Sequence, residues 1–309
     1  MQNQPKWNDG TPEQRALTDR LYQKKWGVFN HYLPASPDLV ETIDTDAIAR
    51  TLHEIGAGYY VITMMQGRAV LNAPNAAFDR ITGHSPGEAA ARRDLILDLY
   101  DSLSPYGIDL YVYYTGDGPY KNEADGAAFG FTSGHVTRSF VEKWASVLEE
   151  YALRYGDKVC GWWIDGCYQR QLGYDDELLR LYYDAVKRGS PDAVVAFNNG
   201  VDHDFVKRGD SLSEFTAGEQ VDFAMLPEGR FIDGAQWHML APLGLPPEGG
   251  NCYEAWCRPG IKYVGAYLRE YIDKVNSRGG VVTIDIFMDW TGGTRFDPAQ
   301  VEALKAMGF

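Results

Sequence analysis

Short apolar runs alternate with amphipathic helical stretches along nearly the whole chain, and the links between successive runs are too long for hairpins. That pattern demands a parallel sheet with helices packed on it. The clearest strand-like runs lie at 26–32, 59–64, 108–115, 159–164, 193–198 and 281–287. Helical spacing marks 44–55, 92–103, 136–155, 175–188, 260–277 and 298–306. Between 212 and 240 the pattern weakens: 212–215, 221–225 and 236–240 are strand candidates with little helix among them. About eight strands fit a closed (β/α)8 TIM-like barrel in one domain, with a doubly wound open sheet as the rival. Residues 1–25 form a polar lead-in anchored by Trp7 and Trp26, and 26–309 form the barrel. No GxGxxG or P-loop turn follows an early strand, which weighs against nucleotide binding.

Charge narrows the partners. The chain has 29 basic and 43 acidic residues, a net charge of −14, which disfavours nucleic acid and anionic membranes. No apolar run reaches the ~18 residues of a membrane span. Four cysteines and six scattered histidines give neither a disulfide framework nor metal-ligand spacing, so no metal or cofactor is expected. Cys252 and Cys257 could pair in an exported protein. The N-terminus lacks a signal peptide's apolar region. The expected location is periplasmic or extracellular after signal removal, with the cytoplasm as the alternative. Oligomeric state leaves no trace in the sequence.

The run Val159-Cys160-Gly161-Trp162-Trp163-Ile164-Asp165-Gly166 ends in a carboxylate followed at once by glycine. Alternate side chains of a strand share a face, so Gly161, Trp163 and Asp165 point one way and Cys160, Trp162 and Ile164 the other. If the second set packs on helices, Asp165 stands at the barrel mouth above an aromatic wall. An aspartate that only caps a turn is the plainer reading. Other polar residues gather after strands: His31, Gln66, Thr115, Asn198, Glu214, Glu219, Glu228 and Asp285. In a parallel barrel such ends converge. On the last strand Thr283 and Asp285 oppose Val282, Ile284 and Ile286. Aromatic residues near strand ends (Trp163, Tyr168, Trp237, Trp256, Trp290) suit a sugar, whose C–H face packs on rings while its hydroxyls take carboxylates and amides. For any single tryptophan, core filling is the simpler role.

Several segments, in order, resemble the α-L-fucosidases of the glycoside hydrolases. Trp26-Gly27-Val28-Phe29-Asn30-His31-Tyr32 is similar to that family's Phe-Gly-x-Phe-x-His-Trp-Gly. Ile55-Gly56-Ala57-Gly58-Tyr59 is similar to its Ala-Gly-Ala-Lys-Tyr. Arg93-Asp94-Leu95, Gly107 and Tyr113-Tyr114 match its Arg-Asp-Leu helix and the strand after it. Trp163-Ile164-Asp165-Gly166, preceded by Tyr155-Gly156, resembles the segment ending in its nucleophilic aspartate. Phe215-Thr216-Ala217-Gly218-Glu219 resembles Tyr-x-Thr-x-x-Glu, and Val275-Asn276-Ser277-Arg278-Gly279-Gly280, with Gly292, its approach to the last strand. The chain departs where the family has Lys-His-His-Asp-Gly-Phe and this sequence has Met64-Met65-Gln66-Gly67-Arg68-Ala69, and Thr283-Ile284-Asp285 replaces Leu-Leu-Asn.

The resemblance implies a retaining exo-glycosidase that releases a terminal sugar from an oligosaccharide or glycoconjugate. Asp165 would attack the anomeric carbon. For the acid/base, Glu219 has the best motif match, followed by Glu228 and then Glu214. His31, Gln66, Trp163, Tyr168, Asn198, Glu214, Trp237 and Asp285 are the expected substrate contacts. The alternatives are a non-catalytic carbohydrate-binding barrel and an inverting glycosidase.

Overall fold

The computed structural model describes residues 6–67, 70–132, 134–290 and 295–309; Arg68 and Gly292, weighed above, lie outside them. Seven strands form one parallel sheet: β1 (Trp26–Asn30), β2 (Tyr59–Thr63), β3 (Asp109–Thr115), β4 (Val159–Asp165), β5 (Val194–Phe197), β6 (His238–Pro242) and β7 (Val281–Asp285). Their order across the sheet is β5-β4-β3-β2-β1-β7-β6. Around them pack α1 (Pro12–Lys24), α2 (Thr45–Glu54), α3 (Leu95–Leu103), α4 (Arg138–Tyr155), α5 (Asp176–Gly189), α6 (Gly265–Ser277) and α7 (Pro298–Lys305). The side chains of Asp44, Asp94, Thr137 and Asp175 cap the starts of α2 to α5 by accepting a backbone N–H from the first turn, which satisfies donors a helix start leaves orphaned. The stretch 66–91, read as loop, contains a further helix, Ala76–Thr82, capped by Asn75.

The curled sheet is compatible with a TIM-like barrel, but the expected eighth strand is not regular. Residues 221–225 form no strand, and 212–215 contribute only an isolated bridge at Phe215. Instead an irregular run spans the gap between β5 and β6. Glu214 N–H donates to the Val195 carbonyl (2.8 Å), Thr216 N–H to that of Gln236 (3.0 Å) and Gln220 N–H to that of Leu240 (2.8 Å). The irregularity has a local cause at Gly218, whose φ is +64° and where an added Cβ would fall 2.0 Å from the His238 carbonyl oxygen. Only glycine permits that approach.

Two apolar layers follow from strand alternation. Trp162, Ile164, Val195, Val282 and Ile284 face the helices, while Phe29, Tyr59, Val61, Tyr111, Tyr113, Trp163, Phe215 and Leu240 pack on the inner face of the curled sheet. Cys160 departs from its expected outward direction and joins the inner set, because the β3–β4 register shifts between Leu110 and Tyr111. Leu21 of α1 reaches the same interior, and Arg20 pairs with Asp109 at the start of β3 (2.8 Å). Helix α1 therefore closes the N-terminal end. Among the described residues no helix is long and apolar enough to cross a membrane.

Candidate active site

Asp165 is the last residue of β4 and is partly exposed, with Trp163 buried directly beneath it on the same face. Trp163 stacks on Tyr113 (centroids 5.4 Å apart) and donates its indole N–H to the Ala217 carbonyl (2.9 Å). The aromatic wall is thus a rigid floor. Its neighbours hold the Asp165 carboxylate from several directions. Oδ2 accepts the Tyr113 hydroxyl at 2.7 Å and faces the Gln66 amide at 3.5 Å. Oδ1 accepts the Asn198 amide at 2.7 Å and the Tyr168 hydroxyl at 3.4 Å. These bonds hold the carboxyl in one fixed orientation.

Glu219 comes from the irregular run between β5 and β6, where its bridge to Leu240 fixes the backbone. The Asn198 amide donates to Glu219 Oε2 at 2.6 Å as well as to Asp165. Asn198 is itself set by a backbone bond from its N–H to the Ile164 carbonyl (2.7 Å) and by its side-chain oxygen accepting from Gly200 N–H (3.1 Å). One amide nitrogen therefore touches both carboxyl groups. Burial and then the charge of Asp165 push the Glu219 pKa up to about 7. Glu219 is therefore poised to hold a proton near neutrality beside the hydrogen-bonded carboxyl of Asp165, a pairing that suits acid–base work.

Across the pocket His31 Nδ1 lies 3.1 Å from Asp285 Oδ1, and its ring meets Trp256 edge-on (5.5 Å). Burial opposes the His31 cation, but Cys257 and Asp285 beside it outweigh that and raise its pKa. Cys257 and Cys252 are free thiols.

The structure thus brings His31, Gln66, Trp163, Tyr168, Asn198, Asp165, Glu219 and Asp285 to one end of the sheet. Three expected residues lie elsewhere. Glu214 faces away, bound by Lys187 (2.7 Å), the Tyr183 hydroxyl (2.7 Å) and Val195 N–H (2.9 Å); it ties the irregular run to α5. Trp237 precedes β6 and sits in the outer core, packed near Gly280. Glu228 is exposed, and its neighbour Pro227 packs on Gly280, just before β7 begins. Both therefore belong to the opposite end. Tyr113 and Asp117 belong to the site although sequence reasoning named neither as a contact. Strand parity could have found Tyr113, since Tyr111, Tyr113 and Thr115 share a face. Among the described residues no group of three His, Cys, Asp or Glu could hold a metal ion.

No family model matches the chain, and no curated protein does. Solved structures do. Two endo-fucoidan hydrolases of glycoside hydrolase family 107 superpose with TM-scores of 0.73 and 0.72 at 15% and 16% identity, over 96% of this chain and 53% and 64% of theirs. An α-L-fucosidase of family 29 from Bacteroides thetaiotaomicron superposes with a TM-score of 0.64 at 16% identity, over 99% of this chain and 76% of its own. The chain thus spans about half to two thirds of the length of the endo-fucoidan hydrolases it matches. At such identity the likeness establishes a shared fold, and it agrees with the fucosidase resemblance read from the sequence.

Proposed function

We propose that the chain is a fucosidase-like retaining glycosidase that removes a terminal sugar from an oligosaccharide or glycoconjugate. The observation that carries this reading is the single Asn198 amide held between Asp165 and Glu219. Both facing oxygens lie within 2.7 Å of that nitrogen, so they are closer together than the ~6.5 Å at which water-activating, inverting pairs begin. Asp165 attacks the anomeric carbon, and Glu219 gives its proton to the departing oxygen. Glu219, deprotonated by that step, then takes a proton from the water that releases the sugar. As Asp165 loses charge in the covalent intermediate, the pKa of Glu219 falls, which suits its change from acid to base. His31 with Asp285, Gln66 and Tyr168 supply hydroxyl contacts, and the sugar face rests near Trp256.

The test is a panel of 4-nitrophenyl glycosides led by the α-L-fucoside, with the released anomer followed by NMR. Release of the substrate's own anomer supports the proposal, and the opposite anomer supports an inverting enzyme. Calorimetric sugar binding with no turnover on any substrate supports a carbohydrate-binding barrel. Chain cleavage within fucoidan, with no release of monosaccharide, replaces exo with endo action.

A further inference from the structure

The pocket contains a third carboxyl group. Asp117 lies two residues past the end of β3, continuing the inward alternation of Tyr113 and Thr115, so it stands beside Asp165 on the side away from Glu219 in strand order. A Cβ added to Gly166, the residue after Asp165, would fall 2.9 Å from the Asp117 carboxyl carbon and 3.0 Å from its Oδ1. Glycine after Asp165 thus makes room for this acid. The Thr115 hydroxyl donates to Oδ1; among the described residues no other side chain hydrogen-bonds the group. The carboxyl is half-buried, and besides the Thr115 bond only its own backbone N–H and the Lys121 charge favour its ionised form. Burial and, against the Thr115 bond, the Asp165 charge bring its pKa to about 7, so near neutrality it can offer a proton as a donor.

We propose that Asp117 is a substrate-binding residue that holds one free hydroxyl of a neutral glycone against the Asp165 side of the pocket. The inference rests on the reading of Asp165 as the attacking group. Its test is kinetic, with 4-nitrophenyl α-L-fucopyranoside and its monodeoxy analogues as probes. Wild type should discriminate against one deoxy analogue by about 10- to 100-fold in kcat/KM, the range of one lost hydrogen bond to a charged or buried partner. Asp117→Ala should lose that discrimination while keeping its preference at the other positions. Asp117→Asn, isosteric and still able to hydrogen-bond a hydroxyl, should keep most of the discrimination. Unchanged discrimination in Asp117→Ala would overturn the proposal. Loss of turnover in Asp117→Asn that azide restores, or that spares dinitrophenyl leaving groups, would also overturn it by making Asp117 the acid/base. A wild type inactive on every aryl glycoside would instead remove the glycosidase reading itself, which separates the two failures.

Discussion

The two ends of the strand ring use the same alternation for opposite purposes. At the C-terminal end, inward positions carry Asp165, Asp285 and, from the irregular run, Glu219, each held by hydrogen bonds to its neighbours. Below them the inward positions are Phe29, Tyr59, Tyr111, Trp163 and Leu240, sealed by Leu21 of α1 around a void of ≈ 10 Å³. Polar groups in this lower half are few and paired. The Tyr59 hydroxyl meets Thr283 (2.6 Å), which meets His238 Nε2 (2.6 Å), while His238 Nδ1 meets the Thr216 carbonyl (2.8 Å). The candidate chemical groups are thus confined to one layer of side chains, and the layers beneath fix their geometry.

If that division holds, changes above should cost rate and changes below should cost stability. Apart from loss of the nucleophile itself, the largest effect is expected from Glu219→Gln: a loss of about 10²- to 10⁴-fold in turnover of poor leaving groups, with near-native thermal stability. A pH profile checks the sign. Glu219 gives up its proton as pH rises through about 7, so wild-type activity should fall there, and the variant should lose that alkaline limb. Below, Leu21→Ala should destabilise the fold by about 2–5 kcal/mol, read as a shift in denaturant midpoint, with KM for an aryl glycoside little changed.

His238 gives a pH test of the lower half. Burial depresses its pKa from 6.5 to about 4, so the unfolded chain takes up a proton that the folded chain refuses. Stability should be full above pH ~6.5 and decline toward pH 4 by up to about 3 kcal/mol. Denaturant titrations should show that slope, and His238→Gln should flatten it. The smallest effect is expected from Tyr113→Phe, which removes one hydrogen bond to Asp165 while keeping the ring stack. A loss of about tenfold in kcat/KM, with stability retained, would place the hydroxyl in the upper layer's chemistry.

The same contrast explains what the sequence disclosed. The strands at 59–63, 159–165 and 281–285 are short, mostly apolar runs beside glycines or helix caps, and their inward faces followed from counting by two. Asp165, Asp285 and His31 were legible for that reason. The irregular run was not, because its place between β5 and β6 depends on a contact between Gly218 and His238 that no local pattern encodes. Glu214 and Glu219 lie five residues apart in that run, and only the motif match ranked Glu219 first and Glu214 last; the structure turns Glu214 to Lys187 and Glu219 to Asn198. Trp237 was misplaced by parity: it shares the outward face of Met239 and Ala241, opposite the inward His238 and Leu240. Asp117 lies beyond the end of a strand, where parity persists only because Gly166 leaves it space.

The most direct test of the account is Asp165→Ala assayed on an activated aryl α-L-fucoside, with and without azide. The prediction is a folded protein without measurable turnover, in which azide restores release of the aryl group and leaves a glycosyl azide of inverted anomeric configuration. Turnover near the wild-type rate in the absence of azide would contradict the assignment of Asp165 as the nucleophile.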